Sequence, residues 1–116
     1  PALALLLTVV AGAVISFFTG SSWGTFAICI PIAVPMAYSF TGGQLGTLVY
    51  AAVGAVVSGG LFGDHCSPVS DTTVLSSLGA ACDHIDHVRT QLPYALLAAA
   101  VSMILWVVVA MVGGAA

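Results

Sequence analysis

Charge is what this sequence most lacks. Of its 116 residues one is Lys or Arg and four are Asp or Glu, 4% in all. Soluble domains carry roughly a quarter, so an ordinary soluble domain is excluded. There is no lysine and Arg89 is the only arginine. A protein that neutralises phosphates needs a basic surface, so no nucleic-acid partner is expected. Three cysteines are too few, and odd in number, for a disulfide framework. Low hydrophobicity, the mark of a disordered tail, is missing too: 60% of the residues are hydrophobic and the mean hydropathy is +1.18. The first apolar run has no basic flank of the kind a signal peptide carries. What remains is an all-α, polytopic membrane protein.

The few charges present are unevenly placed. Asp64, Asp71, Asp83, Asp86 and Arg89 all lie within 26 residues, and the other 90 carry none. At roughly 20 residues per span, the length holds about four transmembrane helices, fewer than most secondary transporters use. With Pro1 at its start, the chain is expected to be a fragment of a longer one.

Residues 2–18 form an uninterrupted apolar run, followed by the small polar patch Thr19 to Thr25. The next run, Phe26 to Phe40, contains Pro31 and Pro35. Each proline removes an amide donor and crowds the preceding turn, which predicts kinking or partial unwinding. A turn at Thr41 to Gln44 leads into a second long run, Leu45 to Phe62, which stops at Gly63. Helical propensity resumes from Val74 to Cys82, about half a bilayer in length. Residues 83–90 are the one hydrophilic stretch, and Pro93 to Val112 reads as a plain apolar helix.

Irregular backbone inside a membrane is tolerated only where protein or trapped water satisfies its polar groups. Two interruptions in one short chain therefore mark candidate binding sites, although 19–25 could equally be an external loop between short spans. The positive-inside rule, resting on Arg89 alone, puts loop 83–90 in the cytoplasm.

Asp64 and Asp71 flank the second interruption. A carboxylate within a membrane is costly to ionise, so it pairs with a cation or holds a proton. Ser67, Ser70, Thr72, Thr73 and freed backbone carbonyls supply the oxygen ligands a hard cation prefers. The competing reading is an interfacial loop in which Asp71 caps the following helix. His65, Cys66, Cys82, Asp83, His84, Asp86 and His87 are transition-metal ligand types, but neither Cys-x-x-Cys nor His at i and i+4 occurs. A solvated loop is the better account of them. No G-x-S-x-G elbow accompanies the serines and histidines. Gly20/Gly24, Gly42/Gly46 and Gly59/Gly63 match the small-residue packing spacing of membrane helices. Two of these pairs lie in or beside the interruptions, where backbone freedom competes with packing as the reason for glycine. Cys29 reads as a core filler.

The string Gly63 to Ser77, followed by Cys82 to Val88 and Thr90-Gln91-Leu92-Pro93-Tyr94, resembles the C-terminal half of the NhaC-type Na+/H+ antiporter family. So does Phe18 to Thr25 with Pro31-Ile32. The resemblance implies one half of an inverted-repeat transporter, whose re-entrant hairpin and discontinuous helix meet at the membrane midplane. In those terms 2–40 is the hairpin with its tip at 19–25, and 45–82 the broken helix with its break at 63–73. The loop is then 83–90 and the last transmembrane helix 91–112. The implied activity is exchange of Na+ for H+ by alternating access at the plasma membrane. Asp64 and Asp71 would hold either ion, with Ser21, Ser22, Thr25, Ser67, Ser70 and Thr73 completing the site and Gly20, Gly24, Gly63 and Pro68 making the backbone breaks. The implied partners are the bilayer, Na+, H+, the missing N-terminal repeat and a second copy in a homodimer. No cofactor is expected beyond the transported ions.

Two alternatives remain at this point. Relatives of the family exchange organic acids or amino acids, whose carboxylate would sit on the helix N-terminus at Ser21 to Thr25. From another class, His65, His84 and His87 could serve a membrane enzyme or metal-binding anchor.

Overall fold

The computed structural model describes residues 2–113, and within them five helices follow one another. These are α1 (Ala2–Thr19), α2 (Ser22–Phe40), α3 (Thr47–Cys66), the short α4 (Asp71–Gly79) and α5 (His84–Gly113). All but α4 are long and apolar enough to cross a membrane. Together with their many outward-facing Leu, Ile, Val and Phe side chains, this makes the chain an integral membrane protein.

Lipid gives helices no hydrophobic reason to associate, so close packing and interhelical hydrogen bonds must hold them. The α1–α3 seam has both. A Cβ built on Gly59 would collide with the Val9 carbonyl, and one on Gly63 with that of Ala13. One turn further the position is Ser67, whose hydroxyl donates to the Phe17 carbonyl at 2.6 Å, across 50 residues of sequence. The same spacing of 50 joins all three pairs, so α1 and α3 run parallel in fixed register. Ser16 answers in the other direction, its hydroxyl donating to the Gly60 carbonyl at 2.6 Å.

The other two long helices, α2 and α5, run against this pair. Near its start α2 places Phe26 and Thr25 over Gly60, while near its end Ala33 and Ala37 meet Leu5, Leu48 and Ala52. Helix α5 puts Gln91 beside His65, Trp106 over Gly54 and Gly113 near Thr47, so it is antiparallel to α3. The core is correspondingly small-residued, with Ala51, Ala52, Ala55 and Val56 of α3 buried against Leu5, Val9, Cys29, Ala33 and Ala37.

Several expected boundaries change. Helix α2 runs unbroken through Pro31 and Pro35 instead of unwinding. In apolar surroundings, unwinding would strand more backbone polar groups than the two prolines remove. Helix α3 continues past Gly63 to Cys66, which confines the irregular stretch to Ser67–Ser70 rather than 63–73. Ser67 precedes Pro68, whose ring disfavours the helical conformation there; its backbone is extended at φ −73 and ψ 128. At 20 residues α3 is about 30 Å long, so the break stands at the end of a full-length helix, not half-way along it. The stretch 83–90 is not a loop beyond its first residue. Asp83 accepts the amides of Ile85 and Asp86 at 2.9 and 3.2 Å, which starts α5 at His84 and leaves Pro93 in its interior.

Candidate functional site at the helix break

The parallel register of α1 and α3 brings the two interruptions together. Continuing the series past Phe17 and Ser67, the turn between α1 and α2 comes to lie against the break between α3 and α4. A Cβ at Gly20 would stand 2.7 Å from the Val69 carbonyl oxygen and 3.1 Å from the Ser70 nitrogen. Gly20 also has φ +66, a left-handed backbone that other residues resist, so conformation and close approach both require glycine. The turn itself is only Gly20–Ser21, tighter than the expected tip at 19–25.

Two glycines expected to open the backbone do not. Gly24 lies in the first turn of α2, its amide donating to Ser21 Oγ at 3.3 Å. Gly63 is helical and buried, present because the Ala13 carbonyl occupies the space of a side chain. Pro68 does lie in the break, and so do the buried Ser67 and Ser70.

Asp64 is the half-buried carboxylate of the site. Its Oδ1 accepts from Ser70 Oγ at 2.7 Å, and Ser70 Oγ is 2.8 Å from Thr72 Oγ1. Ser70 occupies the N-cap position of α4, where a serine ordinarily accepts an amide of the first turn. Here its hydroxyl makes no such cap and is committed to Asp64. A hydroxyl has one proton, so while Ser70 donates to Asp64 it accepts from Thr72. The chain Thr72–Ser70–Asp64 thus runs from the exposed Thr72 through a fully buried hydroxyl to the carboxylate.

Asp71 is placed differently. It is exposed, is the first helical residue of α4 rather than its cap, and turns Oδ1 to the Thr72 amide at 2.8 Å. A carboxylate there complements the helix dipole. Thr73, one turn in, is buried. At the start of α2, Ser22 and Thr25 are both buried, Thr25 beside Gly60 of α3 and with its Oγ1 donating to the Ser21 carbonyl at 3.0 Å. Ser21 is already occupied as the cap of α2. Among the described residues every buried side-chain nitrogen or oxygen has a partner.

Two residues of α5 not expected at the ion site, one of them the His84 considered above only as a metal ligand, also approach the break. His84 brings Nε2 to 2.6 Å from the Pro68 carbonyl and Nδ1 to 3.1 Å from Ser77 Oγ. Gln91 donates to the His65 carbonyl at 2.6 Å. These two belong to α5, and no spacing in the sequence announces that they fold back onto residues 16 and 26 positions earlier. The three histidines are not gathered. His65 lines an apolar cavity of about 560 Å³ between α1, α3 and α5, while among the described residues no three of His, Cys, Asp and Glu form a metal-holding group.

Residues 1–111 match the Na+/H+ antiporter family. The chain is similar to a malate-2H(+)/Na(+)-lactate antiporter of Bacillus subtilis, with 36% identity over 98% of this chain and 23% of the relative. It is 37% identical to an arginine/ornithine antiporter of Halobacterium salinarum over 93% of the chain and 20% of the relative. With the Na(+)/H(+) antiporter NhaC of Alkalihalophilus pseudofirmus it shares 40% identity over 66% of the chain and 15% of the relative. It thus spans less than a quarter of the length of these relatives. No solved structure matches it.

Proposed function

The chain belongs to the Na+/H+ antiporter family, and from that premise we propose that it carries the coupling carboxylate of a secondary transporter that exchanges Na+ for H+. The observation behind this reading is the hydrogen bond of Asp64 to Ser70 at a helix break sealed by the α1–α2 turn. A single carboxylate that holds either Na+ or H+ couples the two fluxes, because each ion must leave before the other binds. Ser70, Ser67 and Thr73 supply neutral oxygens around it, with Ser22 and Thr25 of α2 completing the set. Asp71, exposed and turned to its own helix, has the lesser role of stabilising the start of α4. The transported ions are the only ligands required.

The rest of the site comes from a second repeat outside this chain, which also covers the apolar faces left open here. In the whole protein α1 and α2 serve as the hairpin of this repeat. With the break at the end of α3 and beside the polar start of α5, access runs from the side on which residues 83–90 lie, assigned by Arg89 to the cytoplasm. The site is expected in the plasma membrane, and a homodimer is compatible with it.

The test uses a full-length antiporter carrying this segment, reconstituted in vesicles. Asp64→Asn keeps the shape and removes the charge, and it is expected to abolish Na+-driven proton movement, while Asp71→Asn retains it. Exchange that survives Asp64→Asn would exclude Asp64 from coupling.

The second reading, in which the same site couples cation movement to an organic acid or amino acid, is favoured by the relatives named for malate and lactate or for arginine and ornithine. Uptake of radiolabelled malate or arginine driven by a Na+ gradient in the same vesicles decides between the two.

A further inference from the structure

Where α3 stops and the chain turns into α4, successive carbonyls lose their helical partners and acquire others. The Asp64 carbonyl takes the Ser67 amide at 3.2 Å, and the Ser67 carbonyl takes the Ser70 amide at 3.4 Å. The other two bonds come from α5: Gln91 to His65, and His84 to Pro68, each at 2.6 Å. The Pro68 contact matters most for the site, because Pro68 lies two residues before the serine that faces Asp64.

His84 is anchored at both ring nitrogens. A carbonyl can only accept, so Nε2 carries a proton and donates to Pro68. Nδ1 faces Ser77, a buried residue of α4 whose hydroxyl also lies 2.9 Å from the Val74 carbonyl. The ring therefore braces three parts of the chain at once: the first residue of α5, the break, and the far half of α4. Ser67 is fixed independently by its bond to Phe17. That leaves Pro68 as the point where an external side chain sets the path of the turn.

We infer that His84 is a positioning residue for the Asp64 site. It holds the Pro68 carbonyl away from any bound cation and fixes the turn that delivers Ser70 Oγ to the carboxylate. This role rests on Asp64 being the coupling carboxylate.

The two amide substitutions separate the two ring nitrogens. The side-chain nitrogen of glutamine reaches the position of Nε2, whereas that of asparagine reaches only the position of Nδ1. In the full-length antiporter, initial rates of ²²Na+ exchange against a proton gradient are measured for His84→Asn and His84→Gln beside the unmodified protein. Losing one part-buried hydrogen bond predicts that His84→Asn raises the apparent KM for Na+ about fivefold to tenfold with little change in maximal rate, while His84→Gln stays near the unmodified KM. A general loss of folded protein would lower the maximal rate of both instead. Asn and Gln variants with the same KM would overturn the inference. Asp64→Asn, run in parallel, keeps the two ideas apart: if it still exchanges, the coupling assignment fails, and if it is inactive while Asn and Gln are equal, only the role of His84 fails.

Discussion

Individual glycines decide how near α1 and its turn can come to α3 and the break. Gly63 matches a packing motif and also stands at the edge of a break, and the sequence leaves both explanations open. The position of the Ala13 carbonyl resolves it in favour of packing. Gly63→Ala should therefore force α1 and α3 apart, lowering resistance to thermal unfolding in detergent by about 1–3 kcal/mol. A variant as stable as the parent would show that the seam yields easily. At Gly20 the demand is double, from positive φ and from the Val69 carbonyl. The residue types that make the site were legible: Asp64, Ser67, Ser70 and Thr73 stand out as polar groups in an apolar chain. Which reading of Asp71 holds, coupling carboxylate or support for the start of α4, was not, because both call for a carboxylate at that position.

Among the elements, α5 departs furthest from what its composition suggests. A cluster of charge and histidine ordinarily marks a solvated loop, yet Asp83 caps a helix that begins immediately after it. Asp83→Ala should cost about 1 kcal/mol of local helix stability. Faster hydrogen exchange at amides 85–90, with exchange in 95–110 unchanged, is the expected outcome; uniform exchange along α5 would mean that the cap is dispensable. The prolines of α2 teach a related lesson. They predict kinking or partial unwinding by their own chemistry, and the apolar surroundings, which penalise every exposed amide and carbonyl, keep the helix continuous. Pro68 succeeds in breaking the chain where Pro31 and Pro35 do not. There His84 and Gln91 donate to the Pro68 and His65 carbonyls, and the Ser67 hydroxyl accepts the Val69 amide, so the groups that are set free have partners.

For the molecule as a whole, orientation and access are the open variables that an experiment can read. Cys29 and Cys66 are buried, whereas Cys82 is exposed in the turn between α4 and α5. In a full-length protein retaining Cys82 as its only cysteine, a membrane-impermeant maleimide should label it from the cytoplasmic side alone. Labelling from outside would reverse the assignment that rests on Arg89. The long axis of 52 Å leaves room for the polar start of α5 to project beyond an apolar slab of about 30 Å.

The sequence alone determined that this is a membrane protein of four long apolar helices, that it resembles the NhaC-type antiporters, and which polar residues are scarce enough to matter. Those properties follow from composition and local spacing, which are carried within one stretch of chain. Only the tertiary structure decided that Gly20 meets Ser70, that Asp64 rather than Asp71 is drawn inward, and that His84 returns to hold Pro68. Each of these depends on the register between helices far apart in sequence. That register is set by close backbone approach at Gly59 and Gly63 and by reciprocal hydroxyl bonds from Ser16 and Ser67.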